Sequence, residues 1–334
     1  MARSYQHIWP SICLGLFGLY SLMVWSSRST KCALVEGHVV LGLNFGMTHV
    51  AVACIDTNNS PRPIARMKGN EAYKAYMSGT VDSSEHAELW SGPMPPLVDP
   101  DEQEEQLAVY LFTNVLRNVT QTAAKIVRKP TKIGVIAVPH HINRATWNSI
   151  KLASHEVGDA FGGTWGLLRN DMSMAANDYS PEHCIAKHSY RGDEGGENFV
   201  LVVNHDAHRF EVGTADLSDY GASFERYKEV VQNRPHMTDF NAHKDGEALQ
   251  NAIQELLKDH RANPTWLGPP NEIAAIIVVG EMSPKALSQI SATIASALPE
   301  HKDKIQTQNP GYRAAFGAVC HGYQILTHYP NYDF

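Results

Sequence analysis

One pattern is written twice into this chain, and it limits the folds open to it. Val39–Leu43 and His49–Ile55 are short apolar runs joined at a turn that holds Gly46, and they read as a β-hairpin. Phe199–Val203 and Arg209–Ala215 read the same way. Downstream of each hairpin comes a continuously apolar, β-branched run, Ile133–Val138 in the first case and Ile273–Val279 in the second. Such runs do not alternate in polarity, so they belong to strands buried on both faces, as in parallel sheets covered by helices. The repeated order of hairpin, helix and buried strand predicts an α/β protein built from two similar lobes.

Helical stretches fill the intervals. Leu107, Val109, Leu111, Val115, Leu116 and Ile126 give Glu104–Lys129 a helix-like apolar face, and Pro130 ends it. Ala248, Leu249, Ala252, Ile253, Leu256 and Leu257 do the same in the second half. Pro284 opens an amphipathic helix through Leu298, and Asn309–Gly322 closes the domain with a helix whose Ala314, Ala315, Gly317 and Ala318 suit close lobe-to-lobe packing. With 334 residues and 43% hydrophobic content, the chain can bury a core of this size. A net charge of -7 and the lack of any Lys/Arg-rich run argue against nucleic acid as a partner.

Ile8–Trp25 carries no charge and is just long enough to span a bilayer, which predicts an uncleaved signal anchor, with a cleaved signal peptide as the alternative. Membrane contact through residues 8–25 is therefore expected, with a domain in the secretory pathway or outside the cell. Asn118-Val-Thr120 is a glycosylation acceptor in that setting. The cysteines are scattered and read as free core thiols, with a Cys32–Cys184 disulfide as the alternative if the domain is lumenal. His140 and His141 invite a metal reading, but spacing supplies no third ligand, so no metal site is predicted from them.

Four segments in order carry a resemblance. They are Val39-Val-Leu-Gly-Leu-Asn-Phe-Gly-Met-Thr48, Gly134-Val-Ile-Ala-Val-Pro139, Phe199-Val-Leu-Val-Val-Asn204 running into Phe210-Glu-Val-Gly213, and Asn309-Pro-Gly-Tyr-Arg-Ala-Ala-Phe-Gly-Ala-Val-Cys320. Together they resemble the nucleotide-binding domain of the heat-shock protein 70 chaperones, a branch of the actin-like ATPase (ribonuclease H-like) fold. The resemblance implies two lobes around a central cleft, divided as a leader over 1–31, a first lobe over 32–168, a second over 169–322 with a reduced insertion, and a tail over 323–334. Trp147–Val157 is then the helix that crosses to the second lobe. The resemblance covers the nucleotide-binding domain alone, so no chaperone-type substrate-binding domain is expected after it.

The resemblance also implies a site. The family's first phosphate loop reads roughly D-L-G-T-T, its glycine closing on phosphate oxygens and its Asp holding hydrated magnesium. Here the loop is Asn44-Phe45-Gly46-Met47-Thr48. The second loop, D-L-G-G-G-T in the family, aligns with Asn204-His205-Asp206-Ala207-His208-Arg209, without a glycine, and Arg209 brings a positive charge there. Gly280-Glu-Met-Ser-Pro-Lys285 aligns with the adenosine turn G-G-S-T-R, keeping one glycine of two. Gly42, Asn44, Gly46, Thr48, Asn204, Asp206, Gly280 and Lys285 are thus the candidates for contact with ATP or ADP. Asp171 stands where the family's water-positioning Glu lies, and Lys74 where its γ-phosphate lysine lies. Asp171 reads equally as the N-cap of a helix over Met172–Ala176, and Lys74 as a solvated helix lysine. With both loop aspartates replaced by amides, magnesium would find a degraded site. The expected function is a pseudo-ATPase or weak ATP-binding interaction module, tethered to or passing through the secretory membrane. The alternative is a slow ATP-hydrolysing chaperone relative.

Overall fold

A computed structural model describes residues 31–78, 100–157, 168–178, 198–206, 209–218, 221–231, 240–262 and 272–328. The first half forms a five-stranded mixed sheet from β1 (Val39–Phe45), β2 (His49–Ile55), β3 (Pro61–Lys68), β4 (Thr131–Val138) and β5 (Leu168–Asn170). It also supplies helices α1 (Glu71–Ser78), α2 (Pro100–Val127), α3 (Arg144–Val157) and α4 (Asp171–Asn177). The second half gives β6 (Asn198–His205), β7 (Phe210–Ser218), β8 (Gly221–Val231), β9 (Glu272–Val279) and β10 (Ile305–Gln306), with α5 (Lys244–Ala262), α6 (Pro284–Ala297) and α7 (Arg313–His328).

The two sheets have the same plan. Strand order is β3-β2-β1-β4-β5 in one and β8-β7-β6-β9-β10 in the other. In each, the first three strands are antiparallel neighbours and the first pairs in parallel with the fourth, as Leu43↔Ile136 and Val203↔Val278. The fourth pairs in parallel with the fifth. The unbroken apolar runs at β4 and β9 sit inside their sheets with both faces covered, which is why they lack alternation.

Each sheet has an outer and an inner face. On the outer face of the first, Leu41, Leu43 and Phe45 pack with Phe112 and Leu116 of α2 and Ile150 and Ala153 of α3. On that of the second, Leu201, Val203 and Val212 pack with Leu249 and Ile253 of α5 and Ile290 and Ile294 of α6. The expectation that Trp147–Val157 crosses between lobes is therefore corrected, because α3 stays with α2 on the first sheet. The crossing helices are α4 and α7. Although α4 follows β5 of the first sheet, it packs mainly on β6, β7 and β8; α7 follows β10 of the second and packs on β1, β2 and β4.

The inner faces meet through these two helices. Val135 and Ala137 of β4, Val200 and Val202 of β6, Met172 to Ala176 of α4, and Ala314 and Ala318 of α7 form one buried cluster. Small residues allow it. A Cβ at Gly317 would lie 1.5 Å from the Met174 carbonyl oxygen, and one at Gly42 would lie 2.2 Å from the Val319 amide nitrogen. The start of α7 is tied to the end of α4 by charge: Arg313 Nη1 donates to Asp178 Oδ2 at 2.6 Å and to the Asp178 carbonyl at 3.0 Å, both residues being buried.

Three expectations change. Cys32 and Cys54 form a disulfide, because the segment before β1 bridges Asp56 at the end of β2 and brings Cys32 beside that strand. Cys320 is also disulfide-bonded, so these are not free core thiols, and Cys184 lies outside the described residues. The membrane span is corrected too: among the described residues no helix is long and apolar enough to cross a membrane, and Ile8–Trp25 lies outside them. At 28 residues α2 has the length, but its sequence carries Asp101, Glu102, Glu104, Glu105, Arg117 and Lys125. Neither a transmembrane helix nor a membrane partner is assigned to the chain. Asn118 is exposed on α2, while the Thr120 hydroxyl of the same sequon turns inward to the Leu116 carbonyl at 3.0 Å.

The α4–α7 contact makes two substitutions costly. Gly317→Ala must push α7 away from Met174, an overpacking worth about 1–3 kcal/mol or more. Arg313→Met strands the Asp178 carboxylate in the interior and is expected to cost about 3–5 kcal/mol. Urea denaturation midpoints check both, and an unchanged midpoint in Gly317→Ala would mean that the helices do not touch there.

Candidate functional site

A cleft opens where the parallel strands end. Asn44, Gly46, Met47 and His49 come from β1 and the turn into β2, Pro139 from the turn after β4, and Asp171 from the start of α4. Asn204 and Asp206 come from the end of β6, Gly280 and Glu281 from the turn after β9, and Pro310, Gly311 and Ala314 from the approach to α7. The carboxyl ends of parallel strands are the usual place for ligand sites in α/β sheets, because the loops that follow converge there. Six of the sequence-derived candidates meet in this cleft: Asn44, Gly46, Asp171, Asn204, Asp206 and Gly280.

The other four do not line it. Gly42 is buried under α7 as a packing glycine. Lys74 pairs with Glu71 one turn away, at 2.5 Å. Lys285 is exposed on α6. Thr48 sits at the rim, and its hydroxyl is engaged by Glu281.

Glu281 is the residue the sequence did not single out. It follows Gly280 in the turn after β9, and its carboxylate reaches across to the first sheet. Thr48 Oγ1 donates to Oε2, while His49 Nδ1 lies 3.2 Å and Arg66 Nη2 3.5 Å from Oε1. His49 Nδ1 is also 2.6 Å from Thr48 Oγ1, so an Nδ1–H tautomer satisfies the group. Gly46 makes the room: a Cβ there would stand 3.1 Å from Glu281 Oε1. Gly280 takes φ +111, and any Cβ would meet the His205 carbonyl oxygen at 2.1 Å, so this turn needs glycine on two counts. With Glu281 in place the cleft keeps about 30 Å³ of open space, enough for a water or two. Ligand pockets for small molecules start at roughly 300 Å³.

Below the cleft lies a second group of ionisable side chains. Burial pushes the Asp171 carboxyl up to about 7, with the Asp206 charge adding to the shift and the Met172 amide opposing it. Glu211 of β7, fully buried, is pushed up to about 8 by burial and then by Asp171 and Asp206. His140 is lowered to about 4 by burial and by Arg209. His140 Nε2 lies 3.2 Å from Glu211 Oε2 and His141 Nδ1 3.8 Å from Glu211 Oε1. Burial thus disfavours the charged form of both His140 and Glu211 where they approach each other. Arg209 binds Glu229 at 2.9 Å, and its backbone N–H donates to Asp206 Oδ1 at 2.8 Å. The charge that sequence placed near Asp206 is therefore present but already engaged.

Asp171 does not cap α4 alone. Asn170 is the N-cap and accepts from Met172 N at 2.8 Å and Ser173 N at 3.2 Å, while Asp171 Oδ1 also accepts from Met172 N at 2.8 Å. The site residues missed by sequence reasoning are Glu281, His49, Arg66 and Glu211. Glu281 stands beside the candidate Gly280 in the sequence, whereas the meeting of Glu211 with His140 and His141 depends on how the two sheets face each other.

No protein-family model matches the chain, and no curated protein matches it.

Glu281→Ala removes the acceptor shared by Thr48, His49 and Arg66. The expected loss is about 1–3 kcal/mol for a part-buried charged acceptor, with faster hydrogen exchange across Gly46–Val50 and little change in β6. Unchanged exchange at those amides would show that Glu281 does not hold the turn.

Proposed function

We propose that the protein is a divergent relative of the heat-shock protein 70 nucleotide-binding domain, on the duplicated actin-like fold, acting as a pseudo-ATPase and interaction module. Two features support the descent. Both sheets repeat one strand order, and the residues aligned with the family's phosphate and adenosine loops line a common cleft. The observation that carries the loss of activity is Glu281, whose carboxylate occupies the space beside Gly46 that a phosphate oxygen would need.

Electrostatics point the same way. Phosphoryl transfer rests on positioning and on neutralising the charge of the phosphates, mainly by magnesium and fixed donors. Asn44 and Asn204 bring no formal charge to hold the ion, and Lys74 is bound to Glu71. Removing one well-placed electrostatic group typically costs about 10²–10³ in rate, and here several are changed together. Glu281 would add a negative charge against the nucleotide's own. ATP or ADP remains the ligand class the ancestry implies, held weakly if at all.

A slow ATPase is the second reading, and it rests on Asp171 and Asp206, which both line the cleft. A compartment follows from the thiols: the Cys32–Cys54 disulfide fits the secretory pathway or the extracellular space, where such bonds persist.

The test is calorimetric titration of the full chain with Mg·ATP together with single-turnover hydrolysis. Binding weaker than millimolar and hydrolysis at background are expected. In the variant Glu281→Gly, Asn44→Asp, Asn204→Asp, affinity for Mg·ATP is expected to rise by at least tenfold. Micromolar affinity in the unaltered chain that is lost in Gly46→Val, with turnover above background, would replace the pseudo-ATPase by the slow enzyme.

A further inference from the structure

We propose that His140, His141 and Glu211 form a zinc site that ties the two sheets together at the floor of the cleft. The donors come from opposite halves of the molecule: the histidines from the turn after β4, and Glu211 from β7. Two imidazoles and a carboxylate make a ligand set suited to zinc, whereas magnesium prefers all-oxygen shells. The site is therefore not a displaced version of a magnesium–nucleotide centre, and it does not depend on the ATPase reading.

Geometry brings the donors to one point. The ligand atoms of the three residues all lie within 4.8 Å of one another, with His140 Nε2 and Glu211 Oε2 at 3.2 Å. Tetrahedral zinc with bonds of about 2.0–2.2 Å holds neighbouring donors roughly 3.3 Å apart. One edge of the site already has that length; His141 Nδ1 lies 3.8 Å from the other carboxylate oxygen, Oε1, so side-chain rotation must draw the three donors, now within 4.8 Å of one another, onto one ion.

Glu211 supplies a second, independent observation. It is fully buried, and its Oε2 accepts no hydrogen bond among the described residues. Buried carboxylate oxygens are nearly always satisfied, so an oxygen that faces the His140 imidazole without a hydrogen bond, on a carboxylate whose other oxygen faces His141, is placed as a ligand rather than as a hydrogen-bond partner. The other oxygen, Oε1, is approached by Asn204 Nδ2 at 3.4 Å, an outer contact of the kind that orients a ligating carboxylate. The rings are held as well: Tyr227 packs on His140 with centroids 4.5 Å apart, and His140 meets His141 edge-on at 5.4 Å. These contacts set the two adjacent imidazoles toward the same carboxylate, although neighbours on a turn usually diverge.

The experiment uses the purified full chain, stripped with a chelator, dialysed against a slight excess of zinc chloride and then against buffer. Elemental analysis is expected to give one zinc per chain, and zinc, but not magnesium, is expected to raise Tm. Glu211→Gln keeps the side-chain volume and should lose both the metal and the zinc-dependent rise in Tm, as should His141→Asn. His243→Ala, which alters an exposed histidine, should keep both. Should Glu211→Gln fail to fold, His140→Asn and His141→Asn carry the comparison. A chain that retains no zinc, or one whose zinc survives His141→Asn and Glu211→Gln, overturns the site and leaves His140, His141 and Glu211 as a buried polar cluster.

Discussion

Everything in this molecule turns on how closely α4 and α7 approach. Each leaves the sheet it follows in sequence and packs on the other, so the two halves are joined by an exchange of helices rather than by a single linker. That exchange works only if backbone meets backbone. At Gly317 there is no room for one methyl group against Met174, and at Gly42 none against Val319. Dense interiors of this kind transmit small displacements instead of absorbing them. The angle between the sheets, and with it the width of the cleft, is set by a few small side chains and by the buried Arg313–Asp178 pair.

A cleft fixed in that way depends on what bridges its mouth. In the proposed ancestry a nucleotide would touch both lobes and hold them. Here Glu281 reaches from the second half to Thr48, His49 and Arg66 of the first. The bridge is a protein side chain, always present at unit stoichiometry, and it leaves about 30 Å³ behind it. An internal carboxylate competes with a phosphate for the same donors without any loss of translational freedom. Under the pseudo-ATPase reading proposed above, a closed resting state would rest on Glu281 more directly than on the absence of catalytic groups.

Much of the frame was legible in the sequence because buried strands and hairpins leave local marks. β1, β2, β4, β6, β7 and β9 all fall where apolar, β-branched runs predict them, within three residues at the ends. The small residues of α7 announced a close contact, and Gly317 makes it. Six cleft residues were identified because loops at strand ends are fixed by the strands. What stayed hidden depends on side-chain reach and on which way a helix leaves. Lys74 turned to its own helix neighbour Glu71, Lys285 points to solvent, and Gly42 serves packing. α3 looked like the crossing helix, but its apolar face matches α2. The Cys32–Cys54 bond joins residues 22 apart, a pairing decided by the antiparallel contact beside β2 that spacing alone does not reveal.

The floor of the cleft gathers acidic groups in a buried space. Besides burial, Asp206 raises both Asp171 and Glu211, Asp171 also raises Glu211, and Arg209, the cation that opposes this at Glu211, is already bound to Glu229. Asn44 and Asn204 add no like charge to this buried space. Three carboxylates in low dielectric are already costly, and two more without a resident cation would raise that cost steeply. Asn204 then gains a different role, since its amide turns to Glu211 and helps to hold that carboxylate beside His140 and His141. Asn204 thus takes part in a contact that the two sheets make through side chains of their own.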